Sequence, residues 1–278
     1  MRIGEYQELE VVRDAPQGLY LSDGGTDVLL PASQIPKNVG IGQMLKVFLY
    51  TDSEDRPIAT CQKPRAVVGE FAVLPVVSVA RAGAFFDWGL AKDLFCPFSE
   101  QQGELYEGDW ALVRVYLDQA SQRVVCTTNI NKFLQPHGEG LTKGEPIQIM
   151  ISAIQRDVIH VIINGRIRGA MFPDEWVERF QIGDVRDAFV KDIRETDKKV
   201  AVSLRPQGYQ AVIGESDRFL KALEANGGFL PVGDRSSPDE IQRRFGLSKG
   251  AFKKLIGALY RQGVIDIESH GVRLRALE

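Results

Sequence analysis

A strand-rich module occurs three times along this chain of 278 residues, and the repetition constrains the fold more than any single residue does. The third copy is the least regular. The matching segments are 18–21, 31–34, 41–43 and 46–52 in the first unit, 83–86, 97–100, 107–109 and 114–118 in the second, and 173–175, 182–184 and 198–204 in the third. Units of roughly 65 to 75 residues exceed a solenoid repeat and suit a small closed barrel.

Closure of the sheet allows such units to stand in tandem, because a closed five-stranded sheet has no unpaired edge strand. We therefore predict a mainly β protein with three tandem five-stranded barrels of the oligonucleotide-binding (OB) type. The predicted domain limits are 1–63, 64–136 and 137–206 for the barrels, and 212–278 for a different fourth domain. Tandem small barrels suit the binding of an extended ligand better than the catalysis of one reaction.

The sequence pattern becomes helical after Leu204. The predicted elements are a linker at 205–208, helices at 216–225, 238–245 and 249–262, and a β-hairpin at 264–274. Ser237, Pro238 and Glu240 form a capping-box start for the second of these helices. Three helices followed by a hairpin are typical of a winged helix-turn-helix, so the C-terminal module is predicted to be α+β.

Composition and charge narrow the function classes. The formal net charge is -3, so nucleic-acid binding would depend on local basic patches. The three cysteines lack metal-like spacing and predict structural roles in a reducing, cytoplasmic compartment. Neither an apolar signal core nor an 18-residue apolar run occurs, and this predicts a protein without membrane contact. A monomer is favoured, although the sequence leaves the oligomeric state open.

Catalytic motifs are missing from the sequence. It has no phosphate-binding Gly-x4-Gly-Lys loop, no nucleophile elbow and no cluster of cysteines or histidines. The three histidines fall in different modules, and the paired acids lie in turns where solvated charge is normal. We expect no enzyme activity, cofactor or metal, with a ribonuclease as the less favoured alternative.

A family resemblance rests on the second and first repeats. In the second repeat the pattern comprises residues 83–86, 97–99 and 108–109, followed by Asp118 and Arg123. This pattern resembles S1-type RNA-binding domains, a branch of the OB barrels. The order of three such units and a winged helix resembles the conserved virulence factor B family of bacterial RNA-binding proteins. The resemblance implies a non-catalytic regulator of gene expression whose partner is single-stranded RNA.

Aromatic residues of the second strands are the first binding candidates. By resemblance to S1 domains, Phe85 stacks on a base while Phe86 packs the barrel, and Tyr20 is the counterpart of Phe85 in the first unit. An exposed ring can stack on any base. Packing in a core or between domains is the alternative for Phe85 and Tyr20.

The fourth strands provide a second set of candidates. Alternation would place Lys46, Phe48, Tyr50 and Asp52 on one face, and Leu112, Arg114, Tyr116 and Asp118 on the equivalent face. A base, a tyrosine and an aspartate recur there at equal spacing, which fits contacts with phosphate, sugar and base edges. A solvated strand face with cross-strand ion pairs is the alternative. The hairpin arginines Arg56 and Arg123 resemble the S1 hairpin arginine.

The three copies also depart from the S1 pattern. Pro31, Pro97 and Pro173 stand where many S1 domains carry a histidine at the end of the third strand. The third unit also lacks the Gly-aromatic strand. Its Arg166 and Arg168 predict either a basic loop that follows phosphates or an ordinary solvated turn.

The C-terminal module has its own cationic surface. Residues 216–278 hold eleven basic and eight acidic side chains, opposite in sign to the whole chain. Four cations lie away from the apolar stripe of the third predicted helix, and further arginines lie on the wing. The expected contact is sequence-independent RNA binding, with DNA binding or a protein-docking role as alternatives. The candidate nucleic-acid-binding residues of the whole chain are Tyr20, Lys46, Tyr50, Phe85, Lys92, Arg114, Tyr116, Asp118, Arg123, Arg166, Arg168, Lys249, Lys253, Lys254, Arg261 and Arg273.

Overall fold

The structure is a computed structural model that describes residues 1–175, 179–205, 208–233, 235–261 and 263–275. Within these ranges the side chains at 174, 208–215 and 217 are not described. Three closed five-stranded barrels are followed by a winged helix, so the predicted fold class is confirmed. The predicted domain limits stay a prediction.

The first barrel closes in the order β1-β2-β3-β5-β4. Its strands are β1 (Tyr6–Ala15), β2 (Gly18–Ser22), β3 (Asp27–Pro31), β4 (Met44–Thr51) and β5 (Pro57–Thr60). Alternating residues such as Leu9, Val11, Leu21 and Leu30 point inward and are fully or almost fully buried. The aliphatic interior is closed by antiparallel pairing of β1 with β4.

The second barrel has the order β10-β8-β7-β6-β9. Its strands are β6 (Phe71–Ala80), β7 (Gly83–Phe86), β8 (Leu94–Pro97), β9 (Trp110–Leu117) and β10 (Val124–Thr127). The buried cysteines Cys96 and Cys126 lie in this interior as free thiols. Contact with Cys126 lowers the pKa of the Cys96 thiol, and burial raises the pKa of the Cys126 thiol.

The third barrel repeats the topology of the first in the order β11-β12-β13-β15-β14. Its strands are β11 (Pro146–Ile154), β12 (Ile159–Ile163), β13 (Ile167–Met171), β14 (Val185–Ile193) and β15 (Val200–Ser203). In all three barrels a short 3-10 turn follows the third strand. In the third barrel this turn covers Pro173–Glu175, within the short helical or irregular segment that the sequence predicts at 173–180. Residues 176–178 of that segment lie outside the described residues.

The C-terminal domain contains three helices and a three-stranded sheet of order β16-β18-β17. The elements are α1 (Gly208–Ala225), β16 (Phe229–Leu230), α2 (Pro238–Phe245), α3 (Lys249–Arg261), β17 (Ile265–Glu268) and β18 (Gly271–Leu274). The predicted start of the first helix at Ser216 is wrong. The helix begins at Gly208, and Ser216 is buried within it. The two-residue strand β16 is too short for its periodicity to be read from sequence.

Helix capping in this domain follows the sequence prediction. Ser237 Oγ accepts a hydrogen bond from the Glu240 N–H at 3.2 Å, and Gly246 ends α2 in the left-handed region at φ 72°. Ser248 Oγ caps α3 by accepting from the Ala251 N–H at 3.2 Å. The predicted apolar stripe is confirmed, since the residues that are fully or almost fully buried on α3 are Phe252, Leu255, Ile256 and Leu259.

Candidate nucleic-acid interface

The glycines that begin the second strands have a structural cause. A Cβ at Gly83 would lie 2.2 Å from the Cys96 carbonyl oxygen, and one at Gly18 would lie 2.0 Å from the Leu30 carbonyl oxygen. Both distances are far below contact, so only glycine allows the second and third strands of the first two barrels to approach this closely. The recurring glycine is therefore explained by the geometry of the barrels.

Strand β7 separates two phenylalanines onto opposite faces. Phe86 is fully buried in the core of the second barrel, as predicted, whereas Phe85 is half-buried and faces outward. The Phe85 ring lies 5.0 Å from the ring of Phe95 on the neighbouring strand β8, with their planes tilted by 40°. Two adjacent strands thus present a pair of rings, a geometry on which a base can stack.

These rings line a cleft between the first two barrels, which we call the inter-barrel cleft. Its volume is about 570 Å³, within the usual range for a small-ligand site. The residues that line the cleft include Tyr50, Phe85, Trp88, Lys92, Phe95 and Arg123. Trp88 stabilises one wall of the cleft, because its Nε1–H donates to the Lys92 carbonyl oxygen at 2.6 Å.

Two cations of the second barrel meet one carboxylate of the first barrel beside this cleft. Lys92 Nζ donates to the Asp52 carbonyl oxygen at 2.6 Å and lies 3.5 Å from Asp55 Oδ1. Arg123 donates to Asp55 Oδ2 through Nη2. Asp55 has a left-handed backbone at φ 63°, a conformation that aspartate tolerates better than most residues. A further carboxyl, that of Asp93, also lines the cleft, and burial raises its pKa.

The predicted solvent-facing surface on β4 is wrong for two of its residues. Phe48 and Tyr50 are buried, and their rings lie 5.7 and 6.3 Å from Trp88 of the second barrel. Burial raises the pKa of the Tyr50 hydroxyl. Aromatic residues on this face are therefore used to join the barrels, and Tyr50 reaches the inter-barrel cleft only with its remaining exposed surface. Lys46 stays exposed, with its Nζ 5.5 Å from the centre of the Tyr6 ring.

Asp52 and Asp118 hold the turns that follow the fourth strands. Asp52 accepts from Arg56 Nε and Nη2 at 2.9 and 2.8 Å. Asp118 instead accepts from the backbone N–H and the hydroxyl of Ser121 at 2.9 and 2.5 Å. The expected Asp–Arg hairpin pair is thus present in the first barrel, while Arg123 of the second barrel turns toward Asp55. Contact of Asp118 with nucleic acid stays a prediction.

The equivalent face of β9 is also packed. The Arg114 guanidinium lies 4.6 Å from the centre of the Phe71 ring and 5.6 Å from that of Phe133. Its Nε and Nη1 are buried with no hydrogen-bond partner among the described residues, and burial lowers the pKa of this side chain. Tyr116 lies 5.3 Å from Phe133, and burial, followed by the charge of Glu100, raises the pKa of its hydroxyl to about 12. This face of β9 is therefore partly packed, and contact of Arg114 and Tyr116 with nucleic acid stays a prediction.

Tyr20 is the positional counterpart of Phe85, but its surroundings differ. The Arg13 guanidinium covers the Tyr20 ring at 3.7 Å from its centre. The Tyr20 hydroxyl accepts a hydrogen bond from Gln17 Nε2 at 2.8 Å. One face of this ring is thus occupied by a cation of the same barrel.

In the third barrel the candidate arginines are exposed. Asn164 and Gly165 both have positive φ, 47° and 67°, and form a two-residue turn between β12 and β13. Arg166 directly follows this turn, whereas Arg168 lies in β13. The predicted basic loop is therefore a tight hairpin with one arginine at its end and one on the strand.

The cations of α3 face away from the core of the winged helix. Lys253, Lys254 and Arg261 are exposed, and Lys249 is half-buried. The exposed ring of Tyr260, which sequence reasoning missed, lies next to Arg261 in the chain. This surface combines positive charge with an aromatic ring, as single-strand-binding surfaces do.

The wing arginines form ion pairs with acidic residues. Arg273 Nε lies 2.6 Å from Glu268 Oε1, and its guanidinium lies 4.8 Å from the centre of the Phe229 ring. Arg275 pairs with Asp266 at 2.5 Å. These acidic partners reduce the positive charge of the wing.

Nowhere among the residues that the structure describes do three or more His, Cys, Asp or Glu side chains converge in a way that would hold a metal ion. None of the described helices combines the length and the apolar character that crossing a membrane requires.

Comparisons with known proteins agree with this architecture. The family model "S1 domain" matches residues 3–62, and the family model "CvfB-like winged helix domain" matches residues 217–274. S1 and winged-helix domains are nucleic-acid-binding domain types. The structure thus combines two domain types of that class in one chain.

Several relatives align over almost the whole chain. The protein "Uncharacterized protein YitL" of Bacillus subtilis (strain 168) is 26% identical over 290 residues, covering 97% of this chain and 92% of its own length. Conserved virulence factor B of Staphylococcus epidermidis (strain ATCC 12228) is 26% identical, and that of Staphylococcus aureus (strain USA300) is 25% identical. Each of the two aligns over 285 residues, covering 98% of this chain and 94% of its own length.

Among solved structures, a multidomain protein with nucleic acid binding domains from Streptococcus pneumoniae TIGR4 matches with a TM-score of 0.42 and 24% identity, covering 98% of both chains. The chain thus carries an S1 domain and a CvfB-like winged helix domain, and its predicted resemblance to the conserved virulence factor B proteins is confirmed along nearly its full length.

Proposed function

We propose that this protein is a non-catalytic, cytoplasmic RNA-binding protein that holds single-stranded RNA and acts in post-transcriptional regulation. The observation that carries the proposal is the pair of outward rings, Phe85 and Phe95, beside the cations Lys92 and Arg123. Rings of this kind stack on unpaired bases, for about 1 to 3 kcal/mol per base, while cations contact the phosphates. A duplex keeps its bases stacked inside, so this arrangement favours a single strand.

The winged helix supplies a second contact in this proposal. Lys253, Lys254 and Arg261 form a sequence-independent electrostatic surface on α3, and Tyr260 adds a stacking ring. None of these side chains is an Asn or Gln suited to bidentate recognition of adenine in a major groove. We therefore assign α3 to the phosphate backbone of RNA, and the exposed Arg166 and Arg168 of the third barrel to a weaker contact of the same kind.

The test is a titration of the whole chain with three probes of equal length at two salt concentrations. The probes are a single-stranded RNA of mixed sequence, the same RNA as a duplex, and the corresponding DNA duplex. We expect the single-stranded RNA to bind most tightly, and its affinity to fall with salt because bound counterions are released. The RNA is also recovered and sized after incubation, and we expect it to remain intact.

Two results would contradict the proposal. Tighter binding of the DNA duplex, retained by a chain whose Phe85 is replaced by alanine, would indicate a DNA-binding regulator that acts through the winged helix. Shortened RNA products that disappear on replacement of a carboxylate pair would indicate a ribonuclease.

A further inference from the structure

Asp55 lies where its carboxylate can hold two cations at once. It projects from the β4–β5 hairpin of the first barrel and pairs with Lys92 and Arg123 of the second. Both cations also line the inter-barrel cleft that contains the Phe85 and Phe95 rings. One anionic group of the chain therefore pairs with the two cations that line the cleft, beside the rings.

A carboxylate and a phosphate are recognised by the same chemistry. Both present two or more anionic oxygens that accept charge-assisted hydrogen bonds from guanidinium and ammonium groups. A nucleotide whose base stacks on Phe85 places its phosphate one sugar away from the ring. Lys92 and Arg123 are the cations that border the same cleft.

The pairing of Asp55 is open to competition. The exposed fractions of the side chains are 39% for Asp55, 33% for Lys92 and 48% for Arg123. Ion pairs at this exposure are screened by water and contribute little to folding stability. In contrast, the two barrels are joined by buried rings, those of Phe48 and Trp88 among them. Release of Asp55 therefore leaves the joint between the barrels in place.

We propose that Lys92 and Arg123 form a phosphate-binding position of the inter-barrel cleft, and that the Asp55 carboxylate is an internal competitor that the RNA phosphate displaces. This inference rests on the proposed RNA-binding function and names the regulation of that same site. Asp55 lowers the affinity for every ligand whose anion must displace it. The stacking contact with Phe85 gives a nucleotide additional binding energy that offsets this cost.

The experiment compares Asp55→Asn with Glu54→Gln in the whole chain, using a 12-nucleotide single-stranded RNA of mixed sequence as the probe. Glu54 is a matched control because it is the adjacent acid of the same hairpin and pairs with Arg56 at 2.8 Å, away from the cleft cations. Each substitution removes one negative charge. We expect Asp55→Asn to tighten RNA binding by about fivefold, and Glu54→Gln by less than about twofold.

The salt dependence and a double variant localise the effect. The slope of log affinity against log salt is expected to match that of the unmodified chain, because the RNA phosphate contacts the same two cations in both complexes. The gain in affinity is expected to disappear in the double variant Asp55→Asn/Arg123→Gln, since the phosphate position then lacks a donor. The melting temperature of Asp55→Asn is expected to match that of Glu54→Gln.

The outcomes separate this inference from the proposed function. If RNA binding depends on Phe85 but Asp55→Asn binds no better than Glu54→Gln, the competitor role is wrong and the RNA-binding function stands. A lower melting temperature of Asp55→Asn without a gain in affinity would show that Asp55 fastens the barrels. If the unmodified chain binds no RNA, the proposed function fails and the inference fails with it.

Discussion

The first two barrels share a repeat pattern but use equivalent positions differently. In the first barrel the second-strand ring of Tyr20 is covered by Arg13, and the fourth-strand rings of Phe48 and Tyr50 are buried against the neighbouring barrel. In the second barrel Phe85 faces the inter-barrel cleft and pairs with Phe95. The difference teaches that a repeated motif specifies a barrel, whereas the surroundings of each copy decide which rings stay open.

The fourth strands of the first two barrels also show that the surroundings of each copy decide which side chains stay open. A base, a tyrosine and an aspartate recur at equal spacing, and the recurrence first suggests a ligand-binding face. The structure instead packs Phe48 and Tyr50 against Trp88, and places Arg114 and Tyr116 against Phe133. Equal spacing reflects a repeated packing role in tandem barrels.

The largest expected effect concerns the joint between these barrels. Phe48 is fully buried among rings of both barrels, so Phe48→Ala is expected to lower the free energy of unfolding by about 3 to 5 kcal/mol. Lys46→Ala on the same strand is the control, and its exposed side chain predicts a change within about 0.5 kcal/mol. Urea unfolding followed by tryptophan fluorescence measures both. Similar values for the two variants would show that the β4 face does not join the barrels.

The second prediction compares the contributions of Phe85 and its positional counterpart Tyr20 to RNA binding. Phe85→Ala is expected to weaken binding of single-stranded RNA by about 1 to 3 kcal/mol, because one stacked base is lost. Tyr20→Ala is expected to lose less, since Arg13 already covers one face of that ring. His160→Ala, in the third barrel, serves as the control. Fluorescence anisotropy gives the affinities, and equal losses for Phe85→Ala and His160→Ala would refute the placement of the site.

The third prediction tests whether the Arg114 side chain serves packing or phosphate binding. Burial of Nε and Nη1 without a partner costs about 1 to 3 kcal/mol per group, and contact with a ring returns about 0.5 to 2 kcal/mol. Arg114→Met keeps the length of the side chain and is expected to raise the free energy of unfolding by about 1 kcal/mol. The affinity for RNA is expected to change by less than about twofold. A marked loss of affinity with a smaller salt slope would instead make Arg114 a phosphate contact.

The smallest expected effect appears at high pH. Burial, followed by the charge of Glu100, raises the pKa of the Tyr116 hydroxyl from 10.0 to about 12, so folding disfavours the phenolate. The stability linked to this group is fully present below pH 10 and is lost as the pH rises through about 12. Tyr116→Phe cannot ionise, so the fall in its free energy of unfolding from pH 9 to pH 11 is expected to be smaller than that of the unmodified chain. Chemical unfolding at both values tests this, and identical falls would contradict the burial of Tyr116.

Much of the fold could be predicted because its signals are local. The glycine that begins the second strand in the first two barrels, the Ser237 cap and the apolar stripe of α3 each depend on a few neighbouring residues. The early start of α1 and the short strand β16 escaped prediction, since a buried serine inside a helix resembles a cap and two residues show no period. Phe95 was missed because a ring on the third strand becomes a candidate only when it lies beside Phe85.

The sequence by itself determined three closed barrels and a winged helix, because strand alternation, turn residues and capping act over a few residues. It also determined which rings and charges were available for binding. Only the tertiary structure decided that Tyr50 is buried while Phe85 is open, and that Asp55 meets Lys92 and Arg123 from another barrel. The physical reason is that burial and ion pairing depend on which surfaces meet in space, and residues 68 positions apart in the chain carry no local signal of that meeting.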